Sequence, residues 1–200
     1  MSTSIEFFDR QFRQQPAQAL LRLNPFEEQA LPYLAGKVLD FGCGMGNLAF
    51  AAARQGCTVT ALDASPAAVE HIQARAAREG LPVTAALADL REHRITEDYD
   101  GVAAIGLLMF FDCPTALRVL ADLQAHVRPG GVAVVNVLTQ GTTYLEMFDP
   151  AGHCLFAPDE LLKRFAGWRI ESSETRDFDA PGQTVKRFST VVARKALVAP

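Results

Sequence analysis

The sequence predicts an α/β fold, a Rossmann-like doubly wound sheet of seven strands with helices on both faces. Apolar strand-like runs alternate with helical runs that stop at glycines, which is typical of strands joined by helices. A glycine-rich turn joins the first strand to the next helix, as in folds that bind a ligand at that point. The 200 residues, 49% hydrophobic and 21% charged, suit one compact domain.

This single domain, residues 1–200, is expected to have three parts. Residues 1–35 form a helical N-terminal cap with helices over 5–13 and 17–23. Residues 36–138 form the ligand-binding core, and residues 139–200 form the substrate side. The core strands are predicted at 37–41, 57–62, 83–87, 99–107 and 131–138, and the core helices at 48–55, 66–79 and 114–127. The substrate side is irregular to 157 and then has a helix over 158–165 and strands over 169–176 and 184–193.

The stretch from Val38 to Asn47 carries the strongest functional signal. An apolar strand reaches Asp40, and alternating glycines at 42, 44 and 46 lead into the next helix. Such a turn brings backbone N–H groups and a helix N-terminus close to a nucleotide-like ligand. A turn without any ligand is the alternative, but three glycines beside a buried-side carboxylate are a costly way to build one.

Two cofactors compete for this turn. A dinucleotide motif can be placed on Gly44, Gly46 and Ala49, but a diphosphate there needs N–H donors rather than an anion. Asp40 puts a negative charge beside the turn, which repels a diphosphate and suits a cation. S-adenosylmethionine carries a sulfonium and an ammonium and no phosphate, so the charge and the glycine register favour it over NAD.

The segment from Asp40 to Gly46 resembles the first motif of class I S-adenosylmethionine-dependent methyltransferases. Segments 59–65, 88–90 and 128–131 resemble this family's second strand, its acidic loop and the turn before its fifth strand, in the same order. The resemblance implies that an antiparallel C-terminal strand pair completes the sheet. It also implies S-adenosyl-L-methionine as the cofactor and S-adenosyl-L-homocysteine as the product.

Two further acids have cofactor roles in this interpretation. Asp63 ends the second strand about 20 residues past the turn, where an acid can accept two ribose hydroxyls. Its alternative is the N-cap of the next helix, although Ser65 with Pro66 at the first helical position suits that role better. Asp89 would face the adenine amino group, with a solvated loop carboxylate as its alternative. The complete predicted cofactor set is Asp40, Gly42, Cys43, Gly44, Gly46, Asp63, Ala64, Asp89, Leu90 and Gly106.

A closer resemblance extends loosely over most of the chain. Segments 99–111, 167–170 and 187–195 are similar to bacterial tellurite-resistance methyltransferases of the TehB type. That family lacks an added substrate domain and methylates chalcogen oxyanions such as selenite and tellurite. Its His-Arg pair falls on Thr175-Arg176, so the histidine is missing and Arg176 alone is carried over.

The acceptor side has several candidate residues. Arg176 could steer an anion, with a solvated strand charge as its alternative. His153 could act as a base, although a loop histidine is more often solvated. Tyr144 and Phe156 could line the substrate pocket or simply pack. Residues 109–111 follow the fourth strand, where ligands of open sheets lie, so Met109 and Phe110 are predicted to form the substrate wall, with core packing as the alternative.

Composition excludes several classes of function. The net charge of −4, without a dense Lys/Arg cluster, disfavours nucleic acid as a partner. No apolar run approaches the roughly 18 residues of a membrane span, and the N-terminus lacks the pattern of a leader, so we expect a cytoplasmic protein without a membrane partner. The four cysteines are spread without close pairs, which predicts no metal site, and disulfides are not expected in a reducing compartment.

We therefore expect an S-adenosylmethionine-dependent methyltransferase that acts on a small molecule by in-line displacement. The acceptor is left open between a chalcogen oxyanion, a thiol and other small molecules. The alternative is a non-catalytic S-adenosylmethionine-binding module that regulates another protein. Nothing in the sequence indicates the oligomeric state.

Overall fold

One seven-stranded sheet organises the part of the chain that the computed structural model describes, which is Arg10, residues 22–149 and residues 152–197. The strand order is β3-β2-β1-β4-β5-β7-β6. The first five strands run parallel, and β7 is antiparallel to both β5 and β6. The strands are β1 Lys37–Phe41, β2 Thr58–Asp63, β3 Val83–Leu87, β4 Tyr99–Ile105, β5 Val127–Leu138, β6 Arg169–Ala180 and β7 Thr184–Arg194. The predicted fold class is confirmed.

Helices cover both faces of the sheet. Helices α1, α2 and α3 contribute to one apolar core and α4 and α5 to the other, which lie on opposite sides of the central strands. The helices are α1 Pro25–Ala30, α2 Asn47–Arg54, α3 Pro66–Glu79, α4 Cys113–Ala125 and α5 Glu160–Arg164. Short 3-10 turns occupy Leu31–Tyr33, Leu108–Phe110 and Pro181–Gln183. The predicted cap helices at 5–13 and 17–23 lie almost entirely outside the described residues.

Local signals place α3 where the sequence predicts it. Ser65 is the N-cap and its hydroxyl accepts a hydrogen bond from the Ala68 N–H at 3.3 Å, with Pro66 as the first helical residue. Gly80 ends the helix in the left-handed conformation, with φ 61°. The structure therefore assigns the N-cap to Ser65 and leaves Asp63 available for another role.

Helix α1 was not predicted, although its capping box is visible in the sequence. The Asn24 side chain accepts from the Phe26 and Glu27 N–H groups, while the Glu27 carboxylate accepts from the Asn24 N–H at 2.7 Å. Pro25 follows Asn24 as the first helical residue. The box fixes Glu27 on the face of the sheet that carries α2.

The strand alternation of β1 decides where Asp40 lies. Leu39 and Phe41 pack into the core on the α4 side, whereas Val38 packs into the core on the α2 side. Because successive side chains point to opposite faces, Asp40 shares the face of Val38. The only polar side chain of the buried part of this strand thus lies beneath the first turn of α2.

A disulfide between Cys113 and Cys154 corrects the expectation that disulfides are absent. Cys113 is the first residue of α4, and Cys154 belongs to the segment that follows β5. The two residues are 41 positions apart in the sequence. They meet because the chain runs through α4 and β5 and then returns to the start of α4. Sequence spacing does not reveal such a pair, while Cys43 and Cys57 are buried free thiols.

The described residues contain neither a membrane-spanning helix nor a metal-binding cluster. None of their helices combines the length and the apolar character that a membrane span requires. No group of three or more His, Cys, Asp or Glu side chains among them could hold a metal ion.

The first testable prediction concerns α2. Phe50 is 0% exposed and stacks under the Arg75 guanidinium, 4.0 Å from its ring centroid. Phe50→Ala should lower the free energy of unfolding by about 3–5 kcal/mol, because it removes a fully buried ring and leaves a cavity. Urea unfolding measures this. Leu87→Ala on the edge strand, where Leu87 is 58% exposed, should change stability by less than about 0.5 kcal/mol.

Candidate functional site

Asp40 is a buried carboxyl group with one uncommitted oxygen. Its side chain is 4% exposed, and it is hydrogen-bonded by the Ala49 N–H in the first turn of α2. Its other oxygen, Oδ2, is buried and has no hydrogen-bond partner among the described residues. Native proteins rarely leave a buried polar atom unpaired, so this oxygen is a candidate acceptor for a donor on a ligand.

The electrostatic setting of Asp40 is acidic. Burial, and then the nearby carboxylates of Glu27 and Asp63, raise the pKa of Asp40 to about 8, against the smaller opposing effect of the Ala49 hydrogen bond. Burial likewise raises the pKa of Glu27 and of Asp63. The raised pKa values mean that all three carboxyl groups are harder to ionise in the unliganded protein. A bound cation would stabilise their charged forms, whereas a bound anion would not.

The glycine turn is tied to the end of β2. The N–H groups of Gly42 and Cys43 donate to the Leu62 carbonyl at 2.8 and 3.1 Å. The Gly44 N–H donates to Asp63 Oδ2 at 2.8 Å, and the Ser65 N–H donates to Oδ1 at 2.9 Å. Asp63 therefore positions the turn, and its remaining lone pairs are at the edge where the two strands end.

Gly46 is one of the positions in the turn that require glycine. It has φ 76° as the residue before α2, and a Cβ there would lie 2.8 Å from Ile72 Cγ1. Left-handed backbone disfavours any other residue, and the contact would push α3 away. This glycine keeps the turn flat against α3 and the helix N-terminus open.

The rest of the predicted cofactor set lies along the same edge. Gly106 directly follows β4 with φ 68°, and a Cβ there would be 4.0 Å from Met109 Cε, so the space beside it is open. Cys43 is 7% exposed, and burial raises the pKa of its thiol well above its usual value. Asp89 is exposed and accepts from the Arg91 N–H at 3.0 Å, whereas Leu90 is 3% exposed.

Beside the turn lies an apolar cluster that we name the acceptor wall. It consists of four buried residues, Met109, Phe110, Leu138 and Phe148. Phe110 and Phe148 have ring centroids 5.2 Å apart. Met109 and Phe110 belong to the 3-10 turn that follows β4, and Phe148 to the loop after β5, so both strands contribute to one wall.

The predicted acceptor-side residues are spread over three places. His153 stacks on Phe148, with ring centroids 4.8 Å apart, so it touches the acceptor wall. Tyr144 lies under the Lys186 ammonium near the start of β7. Phe156 is 1% exposed inside the core on the α4 side. Arg176 is exposed on β6, and its Nε donates to Glu174 at 2.6 Å, a pairing that raises the pKa of its guanidinium.

Sequence reasoning missed two residues of this site. Glu27 could have been found from its capping box, but its approach to Asp40 depends on how α1 crosses the sheet. Phe148 lies in a stretch without periodicity, so no local pattern marks it. Both are placed by tertiary packing.

Comparison with known proteins identifies the class. A model of the methyltransferase domain matches residues 38–131, which include β1, the glycine turn and β2 to β4. The chain is 31% identical over 170 residues to the ubiquinone biosynthesis O-methyltransferase of Escherichia coli, covering 76% of this chain and 68% of that protein.

Two relatives and a solved structure extend the comparison. Hemagglutinin 1 of Eikenella corrodens is 34% identical over 80% of the chain and 54% of its own length. A probable S-adenosyl-L-methionine-dependent methyltransferase TehB of Haemophilus influenzae is 27% identical over 80% of the chain and 57% of its own length. The crystal structure of TehB from this organism superposes with TM-score 0.75 at 20% identity, covering 96% of the chain and 67% of the other.

The chain belongs to the class I S-adenosylmethionine-dependent methyltransferases, and within them it resembles TehB. It spans about half the length of Hemagglutinin 1 and of the TehB relative. The cofactor of the family is S-adenosylmethionine, whose two positive charges fit the free oxygen of Asp40 and its acidic surroundings. The class and the cofactor that the sequence predicts are confirmed.

The second prediction follows from the pKa of Asp40. Below about pH 8 the unliganded carboxyl is protonated, and a cationic ligand must displace that proton. The affinity of the wild type relative to Asp40→Asn should therefore rise with pH by up to about tenfold per unit and level off above about pH 8. Calorimetric titration with S-adenosylmethionine at pH 6, 7, 8 and 9 measures the ratio.

The amine of S-adenosylmethionine also titrates, but it affects binding to both proteins equally. Its contribution therefore cancels in the ratio of wild-type affinity to Asp40→Asn affinity. Asp98→Asn, at an exposed position, is the matched control and should bind like the wild type at every pH. A wild-type to Asp40→Asn ratio that stays constant across this range would contradict the assignment of Asp40.

Proposed function

We propose that this chain transfers the methyl group of S-adenosylmethionine to a small soft acceptor, and that a thiol is the acceptor class. The observation that carries the proposal is the buried Asp40 carboxyl, with its free Oδ2 and two neighbouring acids, beside an apolar wall. A cation site and an apolar surface at one sheet edge are the two things that methyl transfer to such an acceptor needs.

The protein's part in the reaction is alignment and exclusion of water. S-adenosylmethionine, when bound, supplies a methyl group that its sulfonium already activates. Asp40 and Glu27 would hold positive charge at the end of β1, and Asp63 would hold the ribose hydroxyls. Asp89 and Leu90 would face the adenine. The acceptor wall would keep the nucleophile in line with the methyl carbon and free of water.

The residues of the acceptor side favour a thiol over an oxyanion. Arg176 is already paired with Glu174 and exposed on β6, so it gives an anion little net attraction. The wall itself is made of Met, Leu and Phe side chains, which suit a soft, weakly solvated nucleophile. His153 is the candidate base that takes the thiol proton, since it stacks on Phe148 at the wall.

A non-catalytic S-adenosylmethionine-binding module is the competing function. It would need the acidic turn but not the wall. The wall therefore offers the test that separates the two.

The third prediction addresses that difference. Phe148→Ala should raise KM for a small thiol such as 2-mercaptoethanol about tenfold, because it removes one ring of the wall. The affinity for S-adenosylhomocysteine should stay unchanged. Formation of S-adenosylhomocysteine, measured by chromatography, gives the rate.

Leu145→Ala is the matched control, since Leu145 lies in the same loop and is 44% exposed. It should behave like the wild type. Binding of S-adenosylmethionine without turnover of thiols, selenite or tellurite would favour the binding module. Turnover of selenite or tellurite without turnover of thiols would contradict the proposal that a thiol is the acceptor.

A further inference from the structure

We propose that the Cys113–Cys154 disulfide is a redox switch that fixes the substrate-side segment against the acceptor wall. The substrate-side segment is residues 139–149 and 152–157, which follow β5 and precede α5. The effect on acceptor use rests on the proposed function, whereas the effect on the segment does not.

The disulfide joins the segment to the element that carries the wall. Cys113 begins α4, three residues after the 3-10 turn Leu108–Phe110. Cys154 is also hydrogen-bonded to that turn, because its N–H donates to the Met109 carbonyl at 3.0 Å. A covalent bond and a backbone hydrogen bond therefore hold one point of the segment beside Met109.

The residues next to Cys154 connect it to the acceptor wall through ring contacts. His153 stacks on Phe148, and Phe148 packs on Phe110. Further along, Phe156 is anchored independently, since its N–H donates to the Leu138 carbonyl at 3.1 Å and its carbonyl accepts from Gln140. Loss of the disulfide leaves the Phe156 anchor in place and frees the part that carries His153 and Phe148.

The two sulfurs differ in access. Cys113 is exposed, whereas Cys154 is 3% exposed. An external thiolate can therefore reach the Cys113 sulfur first. The other two cysteines, Cys43 and Cys57, are buried free thiols, so the pair is the accessible redox centre of the chain.

Reduction by a dithiol balances as a two-electron exchange. A thiolate of the dithiol attacks Cys113 Sγ, the Cys113–Cys154 bond breaks, and Cys154 leaves as a thiolate that takes up a proton. The second thiol of the reductant then closes its own disulfide and releases Cys113. The N-terminus of α4, a helix of 13 residues, favours release of Cys113 as a thiolate in this second step.

The consequence is a change in local stability rather than in fold. We expect the seven-stranded sheet and both cores to remain packed without the bond. The segment keeps the hydrogen bond to Met109 and the stacking of His153, which a local opening can break at lower cost. We expect the reduced protein to expose the wall and to bind its acceptor more weakly.

The experiment uses the full chain, purified without reductant and then treated with dithiothreitol. Thiol titration after denaturation should count two free thiols before reduction and four after it, as the bonded pair and the two free cysteines require. Hydrogen exchange of the amides at 152–155 should rise about tenfold on reduction, while exchange in β1 and β4 stays constant.

Variants separate the switch from general reduction effects. Cys113→Ser should exchange at the fast rate with or without dithiothreitol, because it cannot form the bond. Cys57→Ala should respond to dithiothreitol like the wild type. Acceptor binding is measured with the methylated product of 2-mercaptoethanol, a thioether that cannot reduce the bond. Reduction by tris(2-carboxyethyl)phosphine should weaken binding of this thioether several-fold and leave the affinity for S-adenosylhomocysteine unchanged.

Two results would overturn the proposal. Four free thiols in the untreated protein would mean that the bond does not form. Equal exchange at 152–155 in the oxidised and reduced proteins would mean that the bond does not hold the segment. Redox-dependent exchange in a chain that turns over no acceptor would support the switch and count against the proposed function instead.

Discussion

The burial of one carboxyl group, Asp40, at the end of the central strand β1 is the constraint on which the site depends. The strand lies between β2 and β4, so its end is shielded on both sides and covered by the first turn of α2. A charge there is unfavourable without a counter-ion, and the raised pKa of Asp40 expresses that penalty. The Ala49 hydrogen bond and the glycine turn keep the carboxyl in place until a cation offsets the cost.

The same sheet edge gathers the other parts of the site because parallel strands end together. The turn after β1, Asp63 at the end of β2 and Gly106 at the end of β4 reach one edge. The 3-10 turn after β4 and the segment after β5 meet there as the acceptor wall. The antiparallel β7 pairs with β5 and occupies the position beside it. The segment after β5 therefore cannot continue beside the sheet and crosses the edge where the parallel strands end.

The sequence predicts the parts of this structure that local chemistry determines. Strands β1 and β3 and helix α3 have the predicted bounds, because glycine, proline and serine mark their ends. Strand β4 ends two residues before the prediction, since its apolar pattern continues into a 3-10 turn that carries Met109 and Phe110. The pairing of Cys113 with Cys154 and the approach of Glu27 to Asp40 depend on how distant elements cross, which no periodicity records. Arg176 stays a predicted anion-steering residue, and in the structure its own strand supplies Glu174 as a partner.

The most direct test of the central claim is a calorimetric titration of the wild-type chain with S-adenosylmethionine, S-adenosylhomocysteine and NAD at pH 8. The account predicts binding of the first two in the micromolar range and none of NAD, because the acids at the end of β1 favour a cation and repel a diphosphate. Binding of NAD, or no binding of either sulfur ligand, would contradict it and would leave the Asp40 turn without its ligand.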